Sequence, residues 1–292
     1  MSAKWIICNL GNLGQIDQLA YAVRECGREC EVLTLGEIND LVEMPSTNPE
    51  CVITSGSIWM NKGLRKARPN SVGNYHDAKT FNCSSYYHNW GKYLTQKKYM
   101  LLPFSEIIRQ VDWIYDTLAV DGSVFIRPDS GEKEFAGELV HRDRFQAFSE
   151  DALMRIGYQD GLTSGLLCVV SSPVDIDKEF RLVIVDKKVV TGSTYRVAKH
   201  LHSEDISEYD EIGINAFAHK VLNDNPPQLP PFHVLDIAQE SNGEFSIMEV
   251  GCFCCCGLYE CDRRKIALSI SECAEREFDS AMRSVLAHWQ RI

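Results

Sequence analysis

Long apolar runs are missing from this chain of 292 residues. No stretch approaches the roughly 18 consecutive apolar residues that a membrane-spanning helix needs. The start of the chain, residues 1–8, also lacks an apolar segment long enough for a secretory signal. The sequence therefore predicts a protein of the cytoplasm without a membrane partner.

Positive charge is also scarce, since 30 Lys and Arg residues stand against 41 Asp and Glu residues, a formal net charge of -11. Proteins that bind nucleic acid along their length carry a basic surface that neutralises phosphates. The deficit argues against such a surface over the whole molecule, although a local basic groove for nucleic acid stays open. A small nucleotide that brings its own metal ion suits this chain better.

Cysteine, in contrast, is plentiful, with 12 residues. Without a secretory signal these cysteines are interpreted as reduced thiols that pack as small hydrophobic side chains. Five of them are concentrated near the end of the sequence, namely Cys252, Cys254, Cys255, Cys256 and Cys261. Structural zinc sites usually combine two separated pairs, and three consecutive cysteines cannot easily turn all their sulfurs to one ion. We therefore expect packed thiols without a bound metal.

The first ninety residues alternate between strand and helix patterns, with apolar strands at 4–8, 31–35 and 51–54 and a helical stripe at 16–23. Such alternation favours a small open α/β sheet with some parallel pairing. Residues 71–96 show little periodicity and are predicted to be a connecting stretch laid across another domain's surface. We place a domain boundary there, which gives an N-terminal domain 1–90 and a second domain 91–292.

The second domain contains further strand patterns at 124–126, 138–140, 166–171, 179–185 and 189–193. The chain ends in a helical stripe of apolar residues, which is typical of core packing. Its members are Ala267, Ile270, Ala274, Phe278, Ala281, Met282, Val285 and Trp289.

An Asn-Gly dipeptide at 242–243 lies between two apolar runs, which is the strongest short-range signal for a β-hairpin. If these two residues form the loop, counting back along both strands pairs Ala238 with Ile247 and Asp236 with Glu249. The opposite face of the hairpin is then apolar and suited to a core. It comprises Leu235, Ile237, Met248 and Val250.

The predicted register makes Asp236 and Glu249 face each other. Like charges directly opposite on a sheet repel at a cost of about 0.2–1 kcal/mol, so a cation is expected between them. Mg2+ is the natural candidate, because it is bound by one or two carboxylates together with water and substrate phosphates. The alternative is an exposed hairpin whose acids only make it soluble.

Four stretches of the second half occur in an order that resembles the ATP-grasp superfamily. They are FIRPDSGEKEFAG at 125–137, DKEFRLVIV at 177–185 with TGSTY at 191–195, VLD at 234–236, and MEVGCFCCCGLY at 248–259. They look most like a poorly characterised clade frequent in phages and bacteria, related to ligases of the ribosomal-protein glutamylase type. The resemblance implies an α+β ATP-grasp domain of two lobes, with a phosphate-covering hairpin in lobe 91–165 and the metal-binding hairpin in lobe 166–292.

The resemblance also implies roles for the basic residues. Arg127 takes the position of the basic residue, usually Lys, that holds the α- and β-phosphates of ATP, and Arg keeps the charge but presents a planar fork. Lys133 lies in the loop that resembles the family's flexible lid, where it either approaches the phosphates or is simply solvated. Arg181 resembles the arginine that steadies the γ-phosphate or an acyl phosphate, and Glu179 on the same strand face is expected to orient it.

The remaining implied positions concern the purine, the ribose and the metal. The backbone of Val170 and Ser171 is expected to read the purine edge, and Asp177 or its neighbour Asp175 to receive the ribose hydroxyls. Asp236 and Glu249 match the two metal-binding acids. Where the family usually has an Asn two residues after this Glu, the chain has glycine at 251, so the second metal site is in question.

These implications converge on an ATP-dependent ligase with ATP and Mg2+ as cofactors, which joins a carboxylate to an amine or similar nucleophile. A small molecule or a peptide is the expected acceptor. Two alternatives stay open. One is an ATP-dependent enzyme that modifies or joins nucleic acid, and the other is a nucleotide-binding module without turnover.

Overall fold

The computed structural model describes residues 2–8, 13–77, 79–132, 134–158 and 165–289. Within these ranges the strands form three sheets of three, four and five strands. The strands are β1 Lys4–Cys8, β2 Glu29–Leu33, β3 Val52–Ser55, β4 Tyr99–Pro103, β5 Ser123–Pro128, β6 Glu138–His141, β7 Leu167–Ser171, β8 Ile176–Val185, β9 Lys188–Val197, β10 His200–Glu204, β11 Phe232–Glu240 and β12 Phe245–Gly251.

Nine helices accompany these sheets in the described ranges. They are α1 Leu13–Glu25, α2 Leu35–Glu43, α3 Ile58–Ala67, α4 Cys83–Trp90, α5 Phe104–Arg109, α6 Val111–Leu118, α7 Phe145–Tyr158, α8 Glu208–Asn223 and α9 Arg263–Trp289. Short 3-10 turns occur at Gly91–Tyr93, Arg142–Arg144 and Phe253–Cys255.

The N-terminal sheet is parallel in the order β2-β1-β3, as the strand-helix alternation predicts. Side chains of β1 alternate between two cores. Trp5 and Ile7 pack in a core with α1 and α9, whereas Ile6 and Cys8 pack with α2 and α3. Because α9 is the last helix of the chain, the N-terminal sheet shares a core with the C-terminal end.

The four-stranded sheet has the order β4-β7-β5-β6, and its neighbours are antiparallel. Alternation along β5 buries Val124 and Ile126 in the core of this lobe, so Phe125 and Arg127 project from the other face. The sheet includes β7, which the sequence pattern assigns to the second lobe. The division between lobes therefore follows Ser171 and does not fall at 165, and residues 172–175 link the two sheets.

The five-stranded antiparallel sheet has the order β10-β9-β8-β11-β12 and is covered on both faces. Leu182 and Leu235 face a core shared with α4 and α8. Val183 and Val234 face the core shared with the N-terminal sheet and α9. The strands β8 and β11 lie at the centre of this sheet and hold their side chains in defined positions.

Two sequence expectations need correction. The stretch 71–96 contains helix α4, and Tyr86 and Trp90 are fully buried in the core of the five-stranded sheet, so this stretch does not simply lie across a surface. The apolar stripe of α9 is buried at Ile270 and Phe278, but Val285 is 47% exposed. Core packing therefore extends over only the first part of this helix.

Among the helices of the described ranges, none is both long enough and apolar enough to cross a membrane.

Candidate active site

The β11–β12 hairpin places Asp236 directly opposite Glu249, as the turn register predicts. The register nevertheless differs at the tip. The loop has three residues, since the Glu240 N–H donates to the Glu244 carbonyl at 2.8 Å, and Gly243 adopts a positive φ of +85° that favours glycine.

A β-bulge between Asp236 and Ile237 restores the predicted pairing of the two acids. Beyond it, Ile237 pairs with Ile247 and Ala238 with Ser246, so the predicted pairing of Ala238 with Ile247 is wrong. The buried core partner in β12 is Ile247 and not Met248. The expected opposition of the acids is thus correct because the longer loop and the bulge offset each other.

Each of the two acids forms an ion pair with an arginine. Arg181 lies opposite Asp236 on β8 and donates from Nε and Nη2 to the two carboxylate oxygens at 2.8 and 2.7 Å. Arg127, which projects from β5 of the other lobe, contacts the Glu249 carboxylate at 3.2 Å. Cations therefore do separate the opposed acids, and in this structure they are guanidinium groups.

Both guanidinium groups are strongly held in the charged state. Burial alone lowers the pKa of Arg181, but the charge and hydrogen bonds of Asp236 outweigh it and raise the pKa above the ordinary value. Burial and Glu249 oppose each other in the same way at Arg127, whose pKa is also raised. These arginines are fixed positive charges at the junction of the two lobes.

Two tyrosines complete the surroundings of Arg181. Tyr195 and Tyr259 stack with their ring centroids 4.9 Å apart, and the guanidinium lies 5.7 and 5.2 Å from the two ring centroids. The Arg181 Nη1 also donates to the Gly257 carbonyl at 3.0 Å. These contacts restrict the side chain and keep its planar fork aligned with Asp236.

Asp236, Glu249 and Arg181 line a cavity of about 240 Å³. All three structural units contribute to its wall. The N-terminal unit supplies Ile58, His76 and Asp77, the loop after β5 supplies Gly131 and Glu132, and the five-stranded sheet with its following turn supplies the rest, including Gly251, Cys252, Cys255, Gly257 and Tyr259. A cavity between units with a few convergent polar groups is typical of a ligand site.

The loop after β5 contacts the other units at both of its ends. Asp129 accepts hydrogen bonds from the N–H and the hydroxyl of Ser84 at 2.6 and 2.8 Å, next to the first residue of α4. Glu132 forms an ion pair with Lys62 of α3 at 2.6 Å. Lys133, the predicted phosphate-approaching lysine, lies outside the described residues.

Glu179 is not the residue that orients Arg181. It lies two residues away on the same strand but pairs with Arg196 at 3.4 Å, whereas the partners of Arg181 are Asp236 and the Gly257 carbonyl. Burial raises the pKa of Glu179, while a hydrogen bond with Tyr195 and the charge of Arg196 act in the other direction. Its electrostatic interaction with Asp236 keeps it close to the site.

The expected reading of a purine by Val170 and Ser171 is contradicted. Val170 pairs with both Met100 and Ile126, because β7 is a central strand, and Ser171 is likewise paired on both sides. Their backbone groups belong to the ladders and have no free edge. The link 172–175 is the backbone beside this strand that lies outside the ladders.

Asp177 remains accessible at the start of β8, where its side chain is exposed. The neighbouring Asp175 is engaged with Ser241 at 2.6 Å and with Lys199 at 3.4 Å. Of the two candidates for the ribose hydroxyls, Asp177 is thus the more accessible one.

The turn after β12 brings a histidine to the site that the sequence did not indicate. Ring and sulfur atoms of His76, Cys252 and Cys255 lie within 4.8 Å of one another in the cavity wall. His76 belongs to the aperiodic stretch 71–96, and no local pattern links it to two cysteines so far along the chain. Only the fold brings them together.

The donor set fits a hard divalent cation. Asp236 and Glu249 are carboxylates from adjacent strands that line one cavity, and such oxygens are the ligands of Mg2+. At position 251 an added Cβ would lie 3.0 Å from Cγ2 of Val234. A side-chain ligand at that position would have to displace Val234, which favours the glycine.

A protein-family model for an ATP-grasp domain, the second family of one clade of that superfamily, matches residues 108–268, more than half of the chain. No curated protein matches the chain.

Solved ATP-grasp structures resemble the whole chain at low sequence identity. D-alanine–D-alanine ligase from Bacillus anthracis, complexed with ATP, has a TM-score of 0.57 at 13% identity and covers 96% of this chain and 99% of that chain. A RimK domain ATP-grasp protein from Sphaerobacter thermophilus has a TM-score of 0.55 at 11% identity, with coverages of 94% and 98%. For N5-carboxyaminoimidazole synthetase from Staphylococcus aureus the TM-score is 0.54 at 12% identity, with coverages of 92% and 77%. These likenesses show the fold.

Proposed function

The chain belongs to the ATP-grasp domain family whose model matches it, and on this premise we propose that it is an ATP-dependent ligase. The proposed reaction joins a carboxylate to an amine or similar nucleophile. The γ-phosphoryl group of ATP passes to an oxygen of the acceptor carboxylate, and ADP leaves. The nucleophile then attacks the acyl carbon, the bond to the phosphate oxygen breaks, and inorganic phosphate is released.

One observation carries this proposal: two opposed carboxylates, each paired with an arginine, lie where the two lobes meet. Asp236 and Glu249 supply the oxygens for Mg2+, while Arg127 and Arg181 supply fixed positive charge for the phosphates. Phosphoryl transfer needs little covalent chemistry from the protein and depends on such alignment and electrostatic stabilisation.

The ion pairs give the arginines a role before nucleotide arrives. In the absence of metal they offset the repulsion between Asp236 and Glu249. When bound, Mg2+ neutralises charge on the phosphates and the two acids, which allows Arg127 and Arg181 to turn their N–H groups from carboxylate to phosphate oxygens. The protein then exchanges one set of charge-assisted hydrogen bonds for another and leaves no charge unpaired.

The proposed acceptor is a small molecule or a peptide that carries a carboxylate. Its carboxylate has to reach the cavity, where Arg181 is positioned to steady the negative charge that develops during transfer. The excess of acidic residues over the chain does not favour a nucleic-acid acceptor.

The nucleotide product tests this proposal. The protein is incubated with labelled ATP, Mg2+ and pools of amino acids, peptides or RNA, and the nucleotides are separated by chromatography. We expect ADP, because transfer of the γ-phosphoryl group releases it. Stoichiometric AMP would instead indicate an adenylating enzyme, and ATP that binds but is not consumed with any pool would support a binding module.

A further inference from the structure

We propose that His76, Cys252 and Cys255 form a binding site for a thiophilic divalent ion of the zinc type. This site lies in the wall of the same cavity as Asp236 and Glu249 but has its own ligands. The inference does not depend on the proposed ligase activity.

The ligand atoms are already close to the geometry of such a site. One ring nitrogen of His76 and the sulfurs of Cys252 and Cys255 lie within 4.8 Å of one another, and His76 Nδ1 is 3.9 Å from the Cys255 sulfur. Zinc binds sulfur at about 2.3 Å and nitrogen at about 2.0 Å, so ligand atoms in a tetrahedral site are separated by about 3.5 to 3.8 Å. Contraction by about an ångström or less completes the site.

The two cysteines converge because they lie three residues apart around one 3-10 turn. The difficulty of turning the consecutive triplet 254–256 toward one ion does not apply to this pair, since the turn directs the intervening Cys254 sulfur toward the Gly73 carbonyl. The turn itself is anchored to the N-terminal unit. The Cys254 carbonyl accepts hydrogen bonds from the Gly56 N–H at 2.8 Å and from the Asn61 amide at 3.0 Å.

His76 provides a second, independent indication of a ligand. Its side chain is buried, and its Nε2 has no hydrogen-bond partner within the described structure. Buried polar atoms are rarely left without a partner. Because rotation of the ring exchanges its two edges, either nitrogen can face the sulfurs, and a bound ion satisfies the one that does.

Two thiolates and one imidazole are soft or borderline ligands, whereas Asp236 and Glu249 offer only oxygen. Thiolates select zinc-like ions, and carboxylates suit Mg2+. The cavity can therefore hold two different ions without competition. A three-ligand site on a cavity wall also leaves a fourth position open toward the cavity, as in catalytic zinc sites.

An ion at this site would join two distant segments. His76 lies in the connection that follows the N-terminal sheet, and Cys252 comes three residues after Glu249. The ion would therefore hold the end of β12, and with it Glu249, at a set distance from the N-terminal unit.

Cd2+ is a suitable probe, because cadmium thiolates absorb in the ultraviolet. The full-length protein is reduced, freed of metal with a chelator and titrated with Cd2+, and Zn2+ is then added in competition. We expect one equivalent of Cd2+ to bind with a thiolate absorption, Zn2+ to displace it, and excess Mg2+ to leave it in place. Displacement by Mg2+ would place the ion on the carboxylates and overturn the proposal.

Ligand substitutions assign the site. His76→Ala and Cys255→Ser are each expected to weaken Cd2+ binding by about 100-fold or more, since loss of an outer-shell partner alone costs about 10- to 100-fold. Cys256→Ser is the matched control, because Cys256 lines the same cavity while its sulfur lies 3.2 Å from the Phe253 carbonyl. Unchanged Cd2+ affinity in both ligand variants would overturn the proposal.

A measurement on the unaltered protein covers the case in which a variant fails to fold. Zn2+ should protect two thiols per bound ion from a thiol-reactive dye, with peptide mapping assigning the protection to Cys252 and Cys255. Protection of no thiol, or of thiols elsewhere in the chain, would contradict the site.

Discussion

Arg181 and Asp236 lie opposite each other on two central strands and form a two-pronged ion pair with both side chains largely buried, 12% and 6% exposed. Glu249, on the other side of Asp236, forms a second pair with Arg127. Removing one member of a buried pair strands the other charge. Substitutions at these four positions therefore have to be measured for folding as well as for activity.

Neutralising the acids should remove metal-dependent nucleotide binding. Asp236→Asn and Glu249→Gln are each expected to abolish turnover, and the double variant should lose the thermal stabilisation that ATP gives in the presence of Mg2+. Glu244→Gln, at the exposed tip of the same hairpin, is the control and should behave like the unaltered protein. Equal stabilisation of the double variant and the unaltered protein by ATP and Mg2+ would show that these acids do not hold the metal.

The two arginines should be separable by kinetics. Arg127→Ala is expected to weaken ATP binding broadly, whereas Arg181→Ala should chiefly lower kcat. Arg181→Ala should also lower the free energy of unfolding by about 3 kcal/mol, because the buried Asp236 loses its partner. Arg109→Ala, on the surface of α5, is the control for charge removal alone. ATP dissociation constants that are the same for Arg127→Ala and the unaltered protein would remove Arg127 from the phosphate site.

The buried His233 should make the protein sensitive to acid. Burial lowers the pKa of His233 to about 4, although its Nδ1 hydrogen bond with the Pro230 carbonyl acts in the opposite direction. The folded pKa lies below the unfolded value of about 6.5, so the stabilisation is complete above about pH 6.5 and is lost as pH falls toward 4.

The loss over that interval is expected to be about 3 kcal/mol. His233→Gln should lose less stability than the unaltered protein between neutral pH and about pH 4.5, measured by urea unfolding at each pH. The comparison cancels the titration of carboxylates that both proteins share. Parallel loss in the two proteins would show that His233 does not titrate on unfolding.

Asp129 should stabilise the start of α4. It accepts from the Ser84 N–H and hydroxyl across 45 residues of sequence, which is the role of a helix-capping side chain. Asp129→Ala is expected to lower the free energy of unfolding by about 1 kcal/mol, and Asp129→Asn by less, since the amide oxygen can still accept. Asp143→Ala is the exposed control, and an equal effect of Asp129→Ala and Asp143→Ala in urea unfolding would contradict the capping role.

The Asp236–Glu249 pairing shows how far sequence reasoning reaches. Alternation and the Asn-Gly turn identify the hairpin and its two faces. The loop is one residue longer than predicted, and the compensating bulge was not foreseen. Turn length depends on backbone conformation at Gly243, and a bulge depends on how Met248 meets Tyr195 across the sheet, so neither follows from local pattern.

Most strands, the parallel N-terminal sheet and the identity of the charged site residues were determined by the sequence itself, because residue periodicity and motif order are short-range properties. Tertiary structure alone decided the partners: Asp236 for Arg181, Arg196 for Glu179, and His76 for the cysteine turn. These contacts join segments up to 179 residues apart. Their geometry depends on how three sheets pack around shared cores, which no local pattern encodes.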